Sequence, residues 1–479
     1  MNKIFLMILC LISWPLQALE TNVAPPLSVQ PLARIPVQQD GRIKPLEQFA
    51  RVTLRQLSGS ETLDHIDAMP WLMEVLFTPE FASQRPLFLV NNDDLRRALA
   101  LPDRASHRFS AQELESPMGE QRAQVMPIVM MAPKERSTQQ QALMDLYQRY
   151  ALFIDLQQSF SIVLPLNAPR PESYALPDPL DYLDLQRIRE RLLTRAQTLA
   201  VQSKGQLKAL SSQEQDEVAL AMLVEKLEQR ALQSQSLRVM PAHWQAAGGE
   251  WFAPWALIRE GFGSPSSASY LVLWKAAALA YRTGDVAAWN HAASVLADAA
   301  AAQLQGWQGV RVQVEYLYVI MAPLNTALAL SAAALVMLML SRRVSLFTAE
   351  RVQTVLRFAL LVLGMALLVR IFILARPPVG TLYESLLFVA WVVLAACTVP
   401  KSARQAMLGL GALSTSLLLL LAPVFATDET MGMLSAVLNT DFWLTIHVLC
   451  ITSGYAACLV VGGLAHAEML RASRTNMPV

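Results

Sequence analysis

Few side chains in the last third of this sequence can do chemistry, and they gather at two places. The first is His447, in TDFWLTIHVLCITSGYAA, a stretch dominated by apolar and small residues. Ionisable residues are rare in such segments, and where they occur they bind, relay or pair. A neutral imidazole there has two uses. It can ligate a metal such as the iron of haem, or it can hydrogen-bond a neighbouring helix; the residue type fits both. His466, further along the same stretch, reads as an interfacial side chain. The second place is ARPPVGTLYES (375–385), with Arg370 just before it. Pro377 and Pro378 stop a helix and Gly380 permits a tight turn. Tyr383 is an interfacial aromatic. Glu384 opens the next helix, where a carboxylate meets the favourable end of the helix dipole, and it is within reach of Arg370 or Arg376. A rigid, arginine-bearing ledge of this kind can hold an amphiphile with acidic groups, haem or a lipid head group among them.

Other chemistries find no footing. His65, His107, His243 and His291 are scattered without metal-ligand spacing, and no HExxH or Gly-rich phosphate loop is present. The four cysteines are Cys10, Cys397, Cys450 and Cys458. None forms a CxxC or CxxCH, and none falls between residues 20 and 315, so no disulfide framework is implied there. A net charge of +1 without a basic face argues against a nucleic-acid partner.

The elements that position these residues follow from composition. Only 16% of the 479 residues are charged, against about 25% in soluble proteins, and the deficit is confined to residues 316 onward. Residues 1–18, with Lys3 and an apolar run from Ile4 to Trp14, read as a secretory signal peptide with a cleavage site after Ala18, and less readily as a short uncleaved anchor. Residues 19–315 read as an exported, helix-rich soluble module. Residues 316–468 read as a membrane domain of about five spans, at 316–340, 355–374, 383–399, 406–426 and 442–468. Residues 469–479 form a cytoplasmic tail. SRRVSLFTAER (341–351), PKSAR (400–404) and RASR (471–474) are basic, whereas ATDET (426–430) and NTD (439–441) are acidic. The positive-inside rule therefore puts the module, the 375–385 loop and the 427–441 loop outside the cytoplasm. The fold class is mainly α.

Within the module, Asp40-Gly41 marks a turn between Pro36 and Pro45. LEQFARVTLRQL follows at helical spacing and is stopped by Gly59. Helices are expected over 138–163, 183–202 and 212–235, with a proline-rich irregular stretch at 164–180. A helical hairpin over 267–304 turns at Gly284-Asp285 and reads as a generic hairpin packed on its neighbours more readily than as one tetratricopeptide-type pair. HWQAAGGEWFAPW (243–255) holds three tryptophans, read as a packed turn more readily than as a binding surface.

Three stretches together resemble the CcsA/ResC family of cytochrome c assembly proteins, the membrane haem-handling component of the System II pathway. They are ARPPVGTLYESLLFVAW (375–391), DFWLTIHVLCITSGYAA (441–457) and PVQQDGRIKPLEQFARVTLRQLSG (36–59). The resemblance is close over 36–60 and 315–468 and vague between. It implies multi-pass placement in a bacterial cytoplasmic membrane and transport or presentation of haem, b-type and in transit, for attachment to apocytochrome c. It assigns His447 as a haem axial ligand and makes Arg370, Tyr383 and Glu384 site-shaping. The family's tryptophan-rich WGxxWxWD stretch does not occur in this sequence. The resemblance therefore also implies a second polypeptide, a CcsA/ResC-like half carrying that stretch or a ResB-like partner. In this reading the chain is no enzyme of the usual kind, at most a part of a haem-attachment complex. A different class of function is a non-enzymatic membrane scaffold that binds a protein client through the exported module. A small-solute transporter finds less support, because the apolar stretches hold few polar residues and no internal repeat.

Overall fold

Asp40 and Gly41 both take positive φ, 49° and 80°, the geometry that lets a two-residue turn join antiparallel strands. They link β1 (Pro36–Gln39) to β2 (Arg42–Pro45), paired from Gln39 opposite Arg42 to Pro36 opposite Pro45. The computed structural model describes residues 27–204, 206–231, 234–241, 250–259, 265–341, 343–345, 347–377, 379–400, 405–426, 430–432 and 442–475. The expected signal peptide lies outside the described residues. Helix makes up 70% and strand 5%, so the mainly α class holds.

β2 runs into α1 (Leu46–Ser58), whose apolar positions Leu46, Phe49, Ala50, Leu54 and Leu57 are buried. Gly59, at φ 80°, caps it by donating its N–H to the Arg55 carbonyl at 2.7 Å. Behind α1 lie α2 (Ala68–Phe77) and α3 (Thr138–Gln158). The expected helical hairpin is present as α4 (Pro265–Thr283) and α5 (Val286–Ala301), joined at Gly284 with φ 70°. Its aromatic rings anchor the core: Trp274 stacks on Phe160 with centroids 4.4 Å apart. Trp289 packs against Phe77 and Tyr281 and donates its indole N–H to the Ser28 carbonyl at 2.8 Å. Trp251 and Trp255 are buried, and Trp255 donates to the Gln158 carbonyl, so these two pack as a structural turn. Trp244 lies outside the described residues. Residues 164–180 carry no helix or strand.

The first apolar stretch starts earlier than hydropathy alone suggests. α6 (Gln308–Met321) ends at Ala322, in the left-handed region at φ 42°, and Pro323 opens α7 (Pro323–Leu340). α6 packs on β2 and α1 as well as on α8 (Ala349–Leu374). α9 (Leu382–Thr398), α10 (Gln405–Leu421) and α11 (Phe442–Thr475) follow. Among the described residues, four helical segments are long and apolar enough to cross a membrane: Gln308–Leu340, Ala349–Leu374, Gln405–Phe425 and Thr445–Ser473. α9, with 17 residues, is a shorter apolar helix, about 26 Å long. It is also enclosed, touching α8, α10 and α11. Its far end is held by Gln353, which donates to the carbonyls of Thr398 and Pro400 at 2.8 Å each, groups that a helix end leaves without partners.

Gly411 of α10 makes the close approach to α9. A Cβ there would stand 2.7 Å from the Cβ of Cys397. Gly411→Ala gains about 1 kcal/mol of helix propensity but forces the two helices apart, at a cost of about 1–3 kcal/mol. The overpacking term should win, giving a lower thermal midpoint in detergent than the wild type. A raised midpoint would mean that α9 and α10 are not in tight contact.

Candidate functional site

The sequence-predicted residues Arg370, Tyr383 and Glu384 come together where α8 ends and α9 begins. Ala375, at φ 51°, terminates α8, one residue before Arg376 and ahead of the proline pair expected to do so; Pro378 lies outside the described residues. Thr381 caps α9, its hydroxyl accepting from the Glu384 N–H at 3.2 Å. Glu384 is thereby fixed in the first turn, and its side chain is fully buried. Arg376 grips it with both terminal nitrogens, Nη1 to Oε2 at 2.7 Å and Nη2 to Oε1 at 3.0 Å. Arg370 Nη2 reaches Oε1 at 3.3 Å, and the Gly380 N–H donates to Oε2 at 2.9 Å. The Arg370 guanidinium also lies over the Tyr383 ring, 5.3 Å from its centroid.

The sequence left open which arginine pairs with Glu384; both do. The ledge, however, faces inward. The Arg370 and Arg376 side chains are 1% and 5% exposed, so neither guanidinium is presented to an incoming acidic ligand. Each also donates to the chain itself. Arg370 donates to the carbonyl of Thr430 and Arg376 to that of Gly432 at 3.4 Å. The carbonyl between them, of Met431, accepts from Arg42 Nε at 3.0 Å. Three consecutive carbonyls are thus taken by three arginines from different parts of the chain. Arg42 also donates from Nη1 to Glu315 Oε2 of α6 at 2.6 Å. Polar atoms without a partner remain within this cluster: Arg370 Nε, Arg376 Nε, Glu315 Oε1 and the Tyr318 hydroxyl.

Beside it opens a cavity of about 270 Å³, lined among others by Arg51, Arg55, Tyr318, Asn325, Tyr383 and Met431. Arg51 and Arg55 keep about a third of their side chains exposed, 32% and 38%. Glu61 pairs with both, and Glu47 with Arg51 at 2.6 Å. Sequence reasoning missed these two and Arg42. The signal was there for α1, because Gln48, Arg51 and Arg55 recur at helical spacing on the face away from Phe49 and Leu54. Nothing in the sequence brings Arg42 to residues 315 and 431.

His447 stands apart from this cluster. It is exposed on α11, a helix that packs on α9 and α10, with 11% of its most apolar window buried. His466 Nδ1 lies 2.7 Å from the Gly462 carbonyl on the same helix and is exposed. Among the described residues no three His, Cys, Asp or Glu side chains converge to hold a metal ion. Among the described residues, then, His447 is an exposed imidazole outside any metal-binding cluster.

No protein-family model matches the chain, and no curated protein sequence matches it.

Proposed function

We propose that the chain takes part in handling haem at the outer face of a bacterial cytoplasmic membrane, for attachment to apocytochrome c. A second polypeptide completes the site. The observation that carries this reading is the exposure of His447 on an apolar helix. A bare imidazole facing hydrocarbon is unfavourable, and the same exposure leaves a ring nitrogen free for an iron brought from outside the chain. The residues fit haem in part. His447 supplies one axial ligand. Arg370 and Arg376 do not fit as partners for the propionates, because Glu384 and the 430–432 carbonyls occupy them; with Tyr383 they brace the site. Arg51 and Arg55 keep about a third of their side chains exposed but are paired with Glu47 and Glu61, so a propionate would have to exchange with these partners. When bound, haem supplies the iron and the vinyl groups to which cytochrome thiols are joined. The chain's own task in this reading is to hold and orient it.

A second reading is a scaffold that holds a protein client through the N-terminal region. The direct tie of that region to α6 and to residue 431 through Arg42 favours it.

Haemin titration of the purified full chain in mild detergent separates the two. The wild type should develop a Soret band that His447→Ala loses or shifts. The thermal midpoint should stay unchanged, since His447 is exposed. A haem band that His447→Ala leaves unchanged would sink the haem reading and leave the scaffold; no haem bound by the wild type would mean that this chain does not hold haem without the second polypeptide, and would put the scaffold on equal standing.

A further inference from the structure

The segment Gln308–Leu340 is too long for a bilayer. Its 33 residues would make about 50 Å of straight helix, against about 30 Å of hydrocarbon. It is not straight. Ala322, at φ 42°, breaks it, and Pro323 opens its second part. α7, with 18 residues, is about 27 Å long and fills the hydrocarbon by itself. The 14 residues of α6, about 21 Å, have to lie elsewhere, and their contacts show where. Trp307 packs edge-on against Phe372, with centroids 6.1 Å apart, and the Arg311 guanidinium lies 5.9 Å from the centroid of the same ring. Further along, Val314 and Tyr318 pack on the cluster of Ile373, Leu374 and Met431. From 307 to 318 the chain advances about 16 Å, yet the α8 residues it meets all belong to the last turn of that helix. A helix running alongside α8 would meet new residues at each turn. α6 therefore crosses the end of α8 steeply, and with α8 spanning the bilayer it lies close to the membrane plane.

The two faces of α6 differ. Toward the N-terminal region it buries Val312, Glu315 and Tyr316, and Glu315 meets Arg42. On the other side Val310, Leu317, Ile320 and Met321 are 43–70% exposed, with Gln313 the polar side chain among them. At helical spacing these five share one arc. Water is a poor solvent for an apolar stripe of this kind. Lipid is next to it on two sides. α7 continues it in the chain and exposes Val336 and Met339, and α8 touches it and exposes Leu361 and Leu368. Trp307, 67% exposed, stands at the far end of α6, at the level where aromatic side chains collect in membranes. We infer that α6 is an interfacial helix. It lies flat in the head-group layer at the Leu374 end of α8, with Val310, Leu317, Ile320 and Met321 in the acyl chains of a lipid surface. Because β2 and α1 pack on its other face, α6 also holds the N-terminal region against the bilayer. The inference rests on α7 and α8 crossing a membrane and is independent of the haem reading.

The test places a nitroxide on single cysteines of the full chain, its native cysteines replaced, in nanodiscs of phosphatidylcholine and phosphatidylglycerol. Val310→Cys, Leu317→Cys and Met321→Cys sample α6. Leu361→Cys on α8 serves as the lipid reference and Asn290→Cys on α5 as the aqueous one; both positions are exposed. Collision with oxygen, which prefers lipid, and with a nickel chelate, which prefers water, gives the depth of each label. The three α6 labels should report one shallow depth, within about 5 Å of one another and closer to the surface than Leu361, whereas a helix continuing along the membrane normal would spread them over about 16 Å. That spread overturns the proposal. So do labels as open to nickel as the one at Asn290, which put the face in water, and labels closed to both reagents, which put it under a second copy or another protein. A Leu361 label outside lipid would remove the membrane reading itself; the α6 outcomes leave that reading standing. The unmodified chain supplies a second measurement. Phosphatidylcholine with a diazirine beside the glycerol ester should label residues 308–321 on illumination, and the same lipid with the diazirine at the chain end should label α8 and spare α6. The reverse pattern, or no label in 308–321 from either lipid, overturns the proposal as well.

Discussion

Glu384→Gln should lower the unfolding free energy of the detergent-solubilised chain by about 3–5 kcal/mol, read by denaturant titration of tryptophan fluorescence. The size follows from what the carboxylate is doing. If it only met the dipole of α9, its loss would cost about 0.3–1 kcal/mol. It is instead fully buried between two guanidinium groups that are themselves buried. A carboxamide presents one oxygen and turns an NH2 toward Arg376 or Arg370, leaving positive charge inside the bundle without an anion. Breaking a buried pair is costly for that reason, whatever the net worth of the intact pair. The Gly380 N–H loses its acceptor at the same time. Arg376→Gln should cost less, because Arg370 still neutralises Glu384. The double variant should be less damaging than the sum of the singles, as expected of residues in one network. An effect of Glu384→Gln within about 1 kcal/mol of wild type would show that water reaches the cluster and that the brace is not dry.

The positions of these residues were legible in the sequence to different degrees. The Asp40-Gly41 turn, α1 with its Gly59 stop and the α4–α5 hairpin all follow from local chemistry, and the structure contains them. Local chemistry also brought Arg376, Tyr383 and Glu384 near one another, since a short turn between two helices leaves them nowhere else to go. It did not reveal which way the arginines face. That depends on residues 430–432, remote in sequence, whose carbonyls draw Arg370 and Arg376 inward. The start of α6 was missed for a related reason. Hydropathy rises at about residue 316, but the helix begins at Gln308, and its first turns bury Val312, Glu315 and Tyr316 against the N-terminal region. A buried glutamate looks polar to any hydropathy window. The count of five spans likewise exceeds the four that length and composition support, because α9 is short and enclosed. His447 was placed correctly on an apolar helix, while its exposure depends on how few helices cover α11.

Arg42 and Glu315 join the two halves of the chain, and this pair carries the second large effect. Glu315 is 1% exposed and Arg42 10%. Around them Arg34 lies over the Tyr316 ring, 4.8 Å from its centroid. Glu315→Ala should cost about 3 kcal/mol, the lower end for a broken buried pair, because Arg42 keeps the Met431 carbonyl. The loss should be local. Hydrogen exchange should quicken in β1, β2 and the first turns of α6, while amides of α4 and α5, held by the Trp274 and Trp289 core, keep their protection. Exchanging the charges, Arg42→Glu with Glu315→Arg, should fail to restore protection. A carboxylate at position 42 would face the Met431 carbonyl, an acceptor against an acceptor, and the attraction regained at position 315 does not remove that repulsion. Hairpin exchange unchanged in Glu315→Ala would mean that apolar packing of α6 on β2 holds the two parts together by itself. Full rescue by the swapped pair would mean that Met431 contributes nothing to the joint. The outcome expected, partial loosening that the swap leaves in place, makes the 430–432 carbonyls the common anchor. Arg42 reaches them from the N-terminal region and Arg370 and Arg376 from the helices, so a strain applied at β2 is passed to the start of α9 through three adjacent peptide groups.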